Sequence, residues 1–496
     1  MQTKLEHSQQ DSSESFARED WASAYQNVEK ELTEEILQVE EGSLPEELCG
    51  TLYRNGPGQM ERGGEWIHHP FDGDGMISSI NFRNGVATLT NRFVRTEAWG
   101  EEVSADKFLY RGVFGTQKPG GFFANAFDLR LKNIANTNVI LLGDQLLALW
   151  EAAGPYALDP KTLKTKGLST LGGVLKENEA FSAHPKIDPG HHYNQKRLVT
   201  FGVKTGPKSK IRLMEFANES EQSFHLIDDR IDNFDGFAFL HDFAITPNWA
   251  IFLQNSISIN PIPFLFGLKS AAQCLSSIPN GQSRFLFIPR DSGLFKGQTP
   301  RIFNAPSGFV FHHLNAWEDE SKVAIESIYY DDFPSIGPGE DFREINFDLL
   351  PEGRLKRCEV DLASGRIRTS LLSKQCCEFA MVNPNFLGKK ARFAWMATSE
   401  CEEGNGPLQS IKKLDLIDGS SSKWSAAPRG FVGEPIMLSK TDSNNEDEGW
   451  IMVMVWNGAR KATDLVILKS INLNLQAIIN LPLAIPHGLH GCWVNS

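Results

Sequence analysis

A chain of 496 residues, 41% hydrophobic and 22% charged, has the material for a large core and too little charge for global disorder. Its 62 acidic residues outnumber 49 basic ones, and the resulting net charge of −13 disfavours binding to nucleic acid. No apolar run is long enough to cross a bilayer, and seven cysteines without a framework spacing suit a reducing compartment, so a cytoplasmic protein is expected.

Residues 1–40 are polar apart from Trp21, Tyr25 and the stretch ELTEEILQVE, which predicts a polar tail with a short helix. Residues 41–496 are expected to form one folded unit. From there short apolar runs alternate with turn pairs: NVILLGDQLLALWE, KRLVTFGV, FAITPNWAIFLQ, KVAIESIYY, ARFAWMA, SIKKLDLI, GWIMVMVW and DLVILKS. Long amphipathic helices are rare, so the chain reads as all-β. No sharp repeat is visible, but seven four-stranded blades over roughly 450 residues give about 64 each, and a seven-bladed β-propeller fits that length. Residues 257–278, ISINPIPFLFGLKSAAQCLSSI, break the strand rhythm with an apolar stretch. It reads equally as a buried connection or as a monotopic contact that places the protein peripherally on a membrane surface. Cys376 and Cys377 read as packing residues. Cys492 lies one place too far from the C-terminus for a prenylation box.

Four histidines stand in apolar contexts: His184 in FSAHP, His241 in FLHDF, His312 in VFHHLN and His490 in GLHGCW. The first two gaps, 57 and 71 residues, each correspond to about one blade, so a closed ring can gather these side chains on its axis. Imidazoles without an HExxH or CxxC spacing leave zinc, copper, iron and nickel open. Imidazoles that bind metal usually give their other N–H to a carboxylate. Glu151, Glu378 and Glu434 stand in apolar runs and need such donors, whether a ring N–H or an arginine.

The ordered motifs GTLYRNGPG (50–58), HPFDGDGM (69–76), RGVFGTQ (111–117), DLRLKNIANTNV (128–139), LLALWE, SAHPK, FAFLHDFAIT, GFVFHHLNA, CCEF, GEPI and PHGLHG carry a resemblance to the carotenoid cleavage oxygenases, most closely to their apocarotenoid-cleaving branch. It runs from about Gly42 to the C-terminus. The resemblance implies a seven-bladed propeller with a helical and loop cap over an axial Fe(2+). It implies His184, His241, His312 and His490 as ligands, rather than His313 or His487, with Glu151, Glu378 and Glu434 behind three of them. Thr137 then lies near one open position of the iron. The chain holds 33 phenylalanines, and Phe71, Phe114, Trp150, Phe239, Phe311 and Tyr330, in or beside these motifs, are the candidates for lining a substrate tunnel. HPFDGDG lacks the further ligands of a calcium loop and reads as a tight glycine turn. The implied activity is cleavage of the central (15,15′) double bond of a carotenoid or apocarotenoid by O2 to retinal-type aldehydes. An isomerohydrolase or stilbene-cleaving enzyme on the same iron, or a carotenoid-binding carrier, are the alternatives.

Overall fold

The computed structural model describes residues 16–177, 179–190, 195–220, 223–278, 281–290, 294–334, 341–440, 443 and 445–496. Seven antiparallel sheets follow one another around an axis. Their innermost strands, in ring order, are Gly491–Asn495, Asn138–Leu142, Lys186–Asp188, Ala244–Ile245, Phe309–Asp319, Cys377–Val382 and the interrupted pair Gly430–Val432 and Ile436–Ser439. The first sheet is closed by the C-terminal strand, which pairs with Gly50–Gln59.

Closure is visible in the packing. Apolar clusters join each sheet to the next, and there is one such cluster for every neighbouring pair around the ring. Second and third strands such as Gly449–Asn457 and Ala462–Lys469 are therefore covered on both faces, which is why they read as nearly continuous apolar runs. Leu465 and Ile467 face the first blade, and Val466 and Leu468 face the sixth.

Antiparallel alternation puts the start of every inner strand, and every connection between second and third strands, at the same end of the axis. The long connections fall at that end, in their described parts 60–73, 94–137, 255–278, 281–282, 331–334 and 341–353. They carry short helices, among them Glu97–Ala105, Gly121–Asn125 and Ile262–Leu265, and form a cap.

The first fifteen residues of the expected tail lie outside the described residues. The rest carries a helix, Arg18–Ala22, and two outer strands, Glu35–Ile36 on the first blade and Gln38–Gly42 on the seventh. Trp21 and Ala24 are buried against Phe431 and Trp456. Among the described residues no helix is long and apolar enough to cross a membrane. The stretch 257–278 forms a small hairpin, Ile257–Ile259 with Leu275–Ser277, around the helix Ile262–Leu265.

Candidate metal centre

The inner strands at the capped end deliver the four histidines. His184 precedes Lys186–Asp188, His241 precedes Ala244–Ile245, His312 lies near the start of Phe309–Asp319, and His490 immediately precedes Gly491–Asn495. One nitrogen from each lies within 4.8 Å of the others. Ring centroids of His184 stand 4.3, 5.1 and 4.5 Å from those of His241, His312 and His490.

The three remaining blades supply carboxylates. Glu151 follows the second strand of its blade and bonds Nδ1 of His241. Oε2 of Glu378 is 2.6 Å from Nδ1 of His312, and Oε1 of Glu434 is 2.8 Å from Nδ1 of His490. A regular strand would not turn these groups inward. The ladder slips at Phe311–His312 and again after Glu378, where Phe379 adopts φ 54°, and Glu434 occupies the break between Gly430–Val432 and Ile436–Ser439. Such bulges re-aim side chains beside functional sites.

Further bonds hold the carboxylates. The Tyr330 hydroxyl donates to Glu378 Oε1 at 2.5 Å and the Phe379 amide donates to its Oε2 at 2.8 Å. Arg54 Nη1 donates to Glu434 Oε2 at 2.5 Å, and its Nη2 donates to the Leu489 carbonyl at 3.0 Å. Burial opposes ionisation of Glu378 and Glu434, but His312 on the one side, and His490 with Arg54 on the other, outweigh it and hold both below the usual carboxylate range. Burial drives His184 well below the ordinary imidazole value, helped by the other three rings.

The donor set fits a divalent metal. Where Nδ1–H donates to a carboxylate, Nε2 keeps its lone pair for a metal. Nε2 of His312 is buried without a partner, and Nε2 of His184 lies 2.9 Å from Nε2 of His241. Three carboxylates against one guanidinium also leave two negative charges in the core, which a dication offsets.

The neighbours separate as the motifs suggested. His313 turns away: its Nδ1 meets Ser327 Oγ at 2.7 Å and its amide donates to Asp242. His487 lies among aromatic rings instead, 5.4 Å from Tyr25. Thr137 reaches the site through its backbone, its carbonyl accepting the His490 N–H at 3.1 Å.

Two cavities flank the cluster. The larger, about 660 Å³, touches Glu151 and is lined by Phe114 and Phe239. The smaller, about 220 Å³, is lined by Phe71 and by Phe379, whose ring stands 5.7 Å from His312 and 5.4 Å from His490. Phe71 and Phe114, one in each wall, are 5.3 Å apart. The other candidates are in neither lining and lie beside the ligands or their carboxylates. Phe311 packs 5.3 Å from His241, Tyr330 serves Glu378, and Trp150 is buried beside Glu151.

Sequence reasoning missed Arg54 and Phe379. Arg54 stands in GTLYRNGPG, and the stated need of each buried glutamate for a donor was the available signal. Phe379 follows Glu378 directly, but nothing in its local sequence announces a left-handed backbone.

Residues 25–495 match the family model described as retinal pigment epithelial membrane protein. The apocarotenoid-15,15′-oxygenase of Synechocystis is 42% identical over 98% of both chains. A lignostilbene-α,β-dioxygenase isozyme of Sphingomonas paucimobilis is 27% identical over 93% of this chain and 94% of its own. The solved structure of the cobalt-substituted Synechocystis enzyme superposes with a TM-score of 0.93 at 41% identity, covering 97% of this chain and all of that one. The chain thus belongs to the family of the retinal pigment epithelial membrane protein and the carotenoid cleavage oxygenases.

Proposed function

We propose that the protein is an Fe(2+)-dependent oxygenase that cleaves the central 15,15′ double bond of an apocarotenoid with O2, giving two aldehydes, one of them retinal-type. The observation that carries this reading is the set of four imidazole nitrogens within 4.8 Å of one another, with carboxylates on three of the rings. Bound there, ferrous iron supplies the redox chemistry through which O2 splits an electron-rich double bond.

The chain's own residues do the rest. His184, His241, His312 and His490 hold the ion, and Glu151, Glu378 and Glu434 fix the rings and keep the pocket near neutral. Thr137, whose carbonyl accepts the His490 N–H, would restrict access to an ion held there. Cavities on both sides, aromatic and aliphatic over much of their lining, with Lys176, Glu177, Lys204 and Lys210 on part of the larger one, suit a long polyene held across the centre at its middle and bound mainly by area. Phe71, Phe114, Phe239 and Phe311 would steer it, with Trp150 and Tyr330 supporting the walls.

A membrane contact supplies such a substrate. Exposed Phe122, Phe123, Phe127, Ile262, Phe266 and Leu268 form an apolar surface on two loops. The buried guanidinium of Arg111 ties them together by donating to the carbonyls of Asp128, Phe264 and Lys269. Ile259 and Leu275, the paired residues of the hairpin next to that helix-bearing loop, line the larger cavity. This supports monotopic docking through residues 257–278. Liposome flotation should weaken in a Phe264→Asp, Phe266→Asp variant, and equal flotation contradicts docking.

The activity is tested by loading the protein with Fe(2+) and an apocarotenal under nitrogen, admitting O2, and separating the products by chromatography. Two aldehydes from central cleavage are expected. Intact substrate, an isomer or an alcohol refutes the reading.

A further inference from the structure

The larger cavity carries charges that a hydrocarbon polyene does not use. Lys204 and Lys210 stand directly opposite each other in the ladder of Arg197–Lys204 with Lys208–Ser220, and both line it. Like charges in that arrangement repel. Their neighbours Lys208 and Arg212 are paired, with Asp235 and with Glu179, but neither Lys204 nor Lys210 makes an ion pair among the described residues. Of the three carboxylates in the lining, Glu151 bonds His241 and Glu179 accepts from Arg212 at 2.8 Å. Glu177 is left against Lys176, Lys204 and Lys210, a surplus of two positive charges in a chain whose net charge is −13.

The rest of the lining is of another kind. Phe114, Leu131, Phe239, Leu275 and Phe333 bring aromatic and aliphatic surface to it, and the rings of Phe239 and Phe333 stand 6.5 Å apart. At the ~30 Å³ that a water-sized group takes in a liquid, a cavity of about 660 Å³ has room for roughly twenty such groups. A space that joins unpaired ammonium groups to a long apolar wall suits an anionic amphiphile, whose chain is bound by area and oriented by polar contacts at one end. Both lysines are exposed, which puts that end at the mouth of the cavity and not on the metal.

We infer that the larger cavity is also a binding site for a free long-chain carboxylate, a fatty-acid anion, with its head on Lys204 and Lys210 and its chain along Phe239 and Phe333. The chain takes the space proposed for one half of the polyene, so the two ligands exclude each other and free fatty acid inhibits the enzyme. Only this competition rests on the cleavage reading. The binding itself needs neither metal nor turnover.

The test compares laurate with its uncharged methyl ester, each below the concentration at which it aggregates. Both displace a neutral fluorescent dye from the full-length protein, iron-loaded under nitrogen or metal-free. Wild type should hold laurate about tenfold tighter than the ester at low salt, the combined worth of two exposed ion contacts, and added salt should narrow the gap. Replacing both lysines, Lys204→Gln with Lys210→Gln, should bring the two ligands level. Lys208→Gln, which removes a charge outside the lining, should leave the gap unchanged, and all three positions are exposed, so the variants should fold as wild type does. Laurate should also raise the apparent Kd of an apocarotenal, followed by its absorbance under nitrogen. Equal binding of laurate and ester to wild type, or a gap that the double variant retains, overturns the site. A gap seen only with iron bound puts the head on the metal and overturns it as well. So does a charge effect seen only with vesicles containing phosphatidylglycerol, which assigns the lysines to a bilayer surface. Laurate that binds without displacing the apocarotenal overturns the competition. Normal laurate binding by a protein that forms no aldehydes sinks the cleavage reading alone.

Discussion

Arg54→Met is the most informative single change behind the metal. The guanidinium and the Glu434 carboxylate are 2.5 Å apart with side-chain exposures of 6% and 17%. At an effective dielectric of about 20 their attraction is on the order of 6 kcal/mol, part of which offsets desolvation. Removing one partner of such a pair costs about 3–5 kcal/mol. For a chain of this size that lowers Tm by roughly 3–5 °C, since unfolding entropy is about 1 kcal/mol per kelvin. The variant also frees the Leu489 carbonyl next to His490, so the ring loses both its axis and its firm carboxylate. Metal affinity should fall about 10- to 100-fold, the usual effect of losing a group behind a ligand. Calorimetry of the metal-free protein and iron retention against a chelator measure the two effects separately. A cycle with Glu434→Gln completes the test, and the double variant should fall short of the summed losses by about 2 kcal/mol or more. Additive losses with unchanged iron retention refute the coupling of Arg54 to the centre.

The remaining expectations concern the ligands, the cap and the pH response. His241→Ala should abolish both iron content and turnover, and a variant with normal activity contradicts its assignment as a ligand. Asp72 accepts the amides of Phe114 and Thr116 at 2.9 and 3.0 Å and the Thr116 hydroxyl at 2.9 Å. Asp72→Ala should therefore loosen the loop that carries Phe114 into the larger cavity. KM should rise several-fold with kcat little changed, and the reverse split in steady-state kinetics argues against that role. Burial lowers His69 to about 3, His313 to about 4 and His487 to about 4. These rings stay neutral in the fold but take up protons in the unfolded chain below about 6.5, so stability is lost as pH falls from there towards 4. At pH 5.5 the three together cost about 4 kcal/mol, or roughly 4 °C in Tm, and a flat calorimetric Tm between pH 7 and 5.5 in metal-free protein contradicts this.

What the sequence revealed depended on how local the signal was. Runs such as GWIMVMVW declare strands because both faces of a middle strand are buried between blades. The ligands were legible because four histidines stood in apolar runs, the first three at blade-sized gaps, and the motifs chose His312 over His313 and His490 over His487. Roles set by distant contacts were not legible. Arg54 lies 380 positions from Glu434, and Tyr330, read as a wall of the tunnel, spends its hydroxyl on Glu378. Residues 16–42 look like a polar tail because their few apolar side chains find partners near residues 431 and 456, at the far end of the chain.

Ring closure and completion of the metal set are the same structural event. The C-terminal strand pairs residue by residue with the first, Gly491 opposite Arg54 and Asn495 opposite Gly50. That register brings His490 to the axis and places Arg54 beside Glu434. An added Cβ on Gly56 would come within 2.7 Å of the Gly488 Cα, so strand and loop approach closely there, and a side chain at Gly56 would push the segment that carries His490 away from the other three rings. Until the last strand is in place, three histidines and three buried carboxylates surround the axis with Glu434 lacking both its ring and its guanidinium. Closing the ring adds the fourth imidazole and Arg54 together. A dication then brings the buried charge to zero. Metal binding should for that reason stabilise the closed propeller as a whole rather than one blade, because its ligands come from four of the seven sheets.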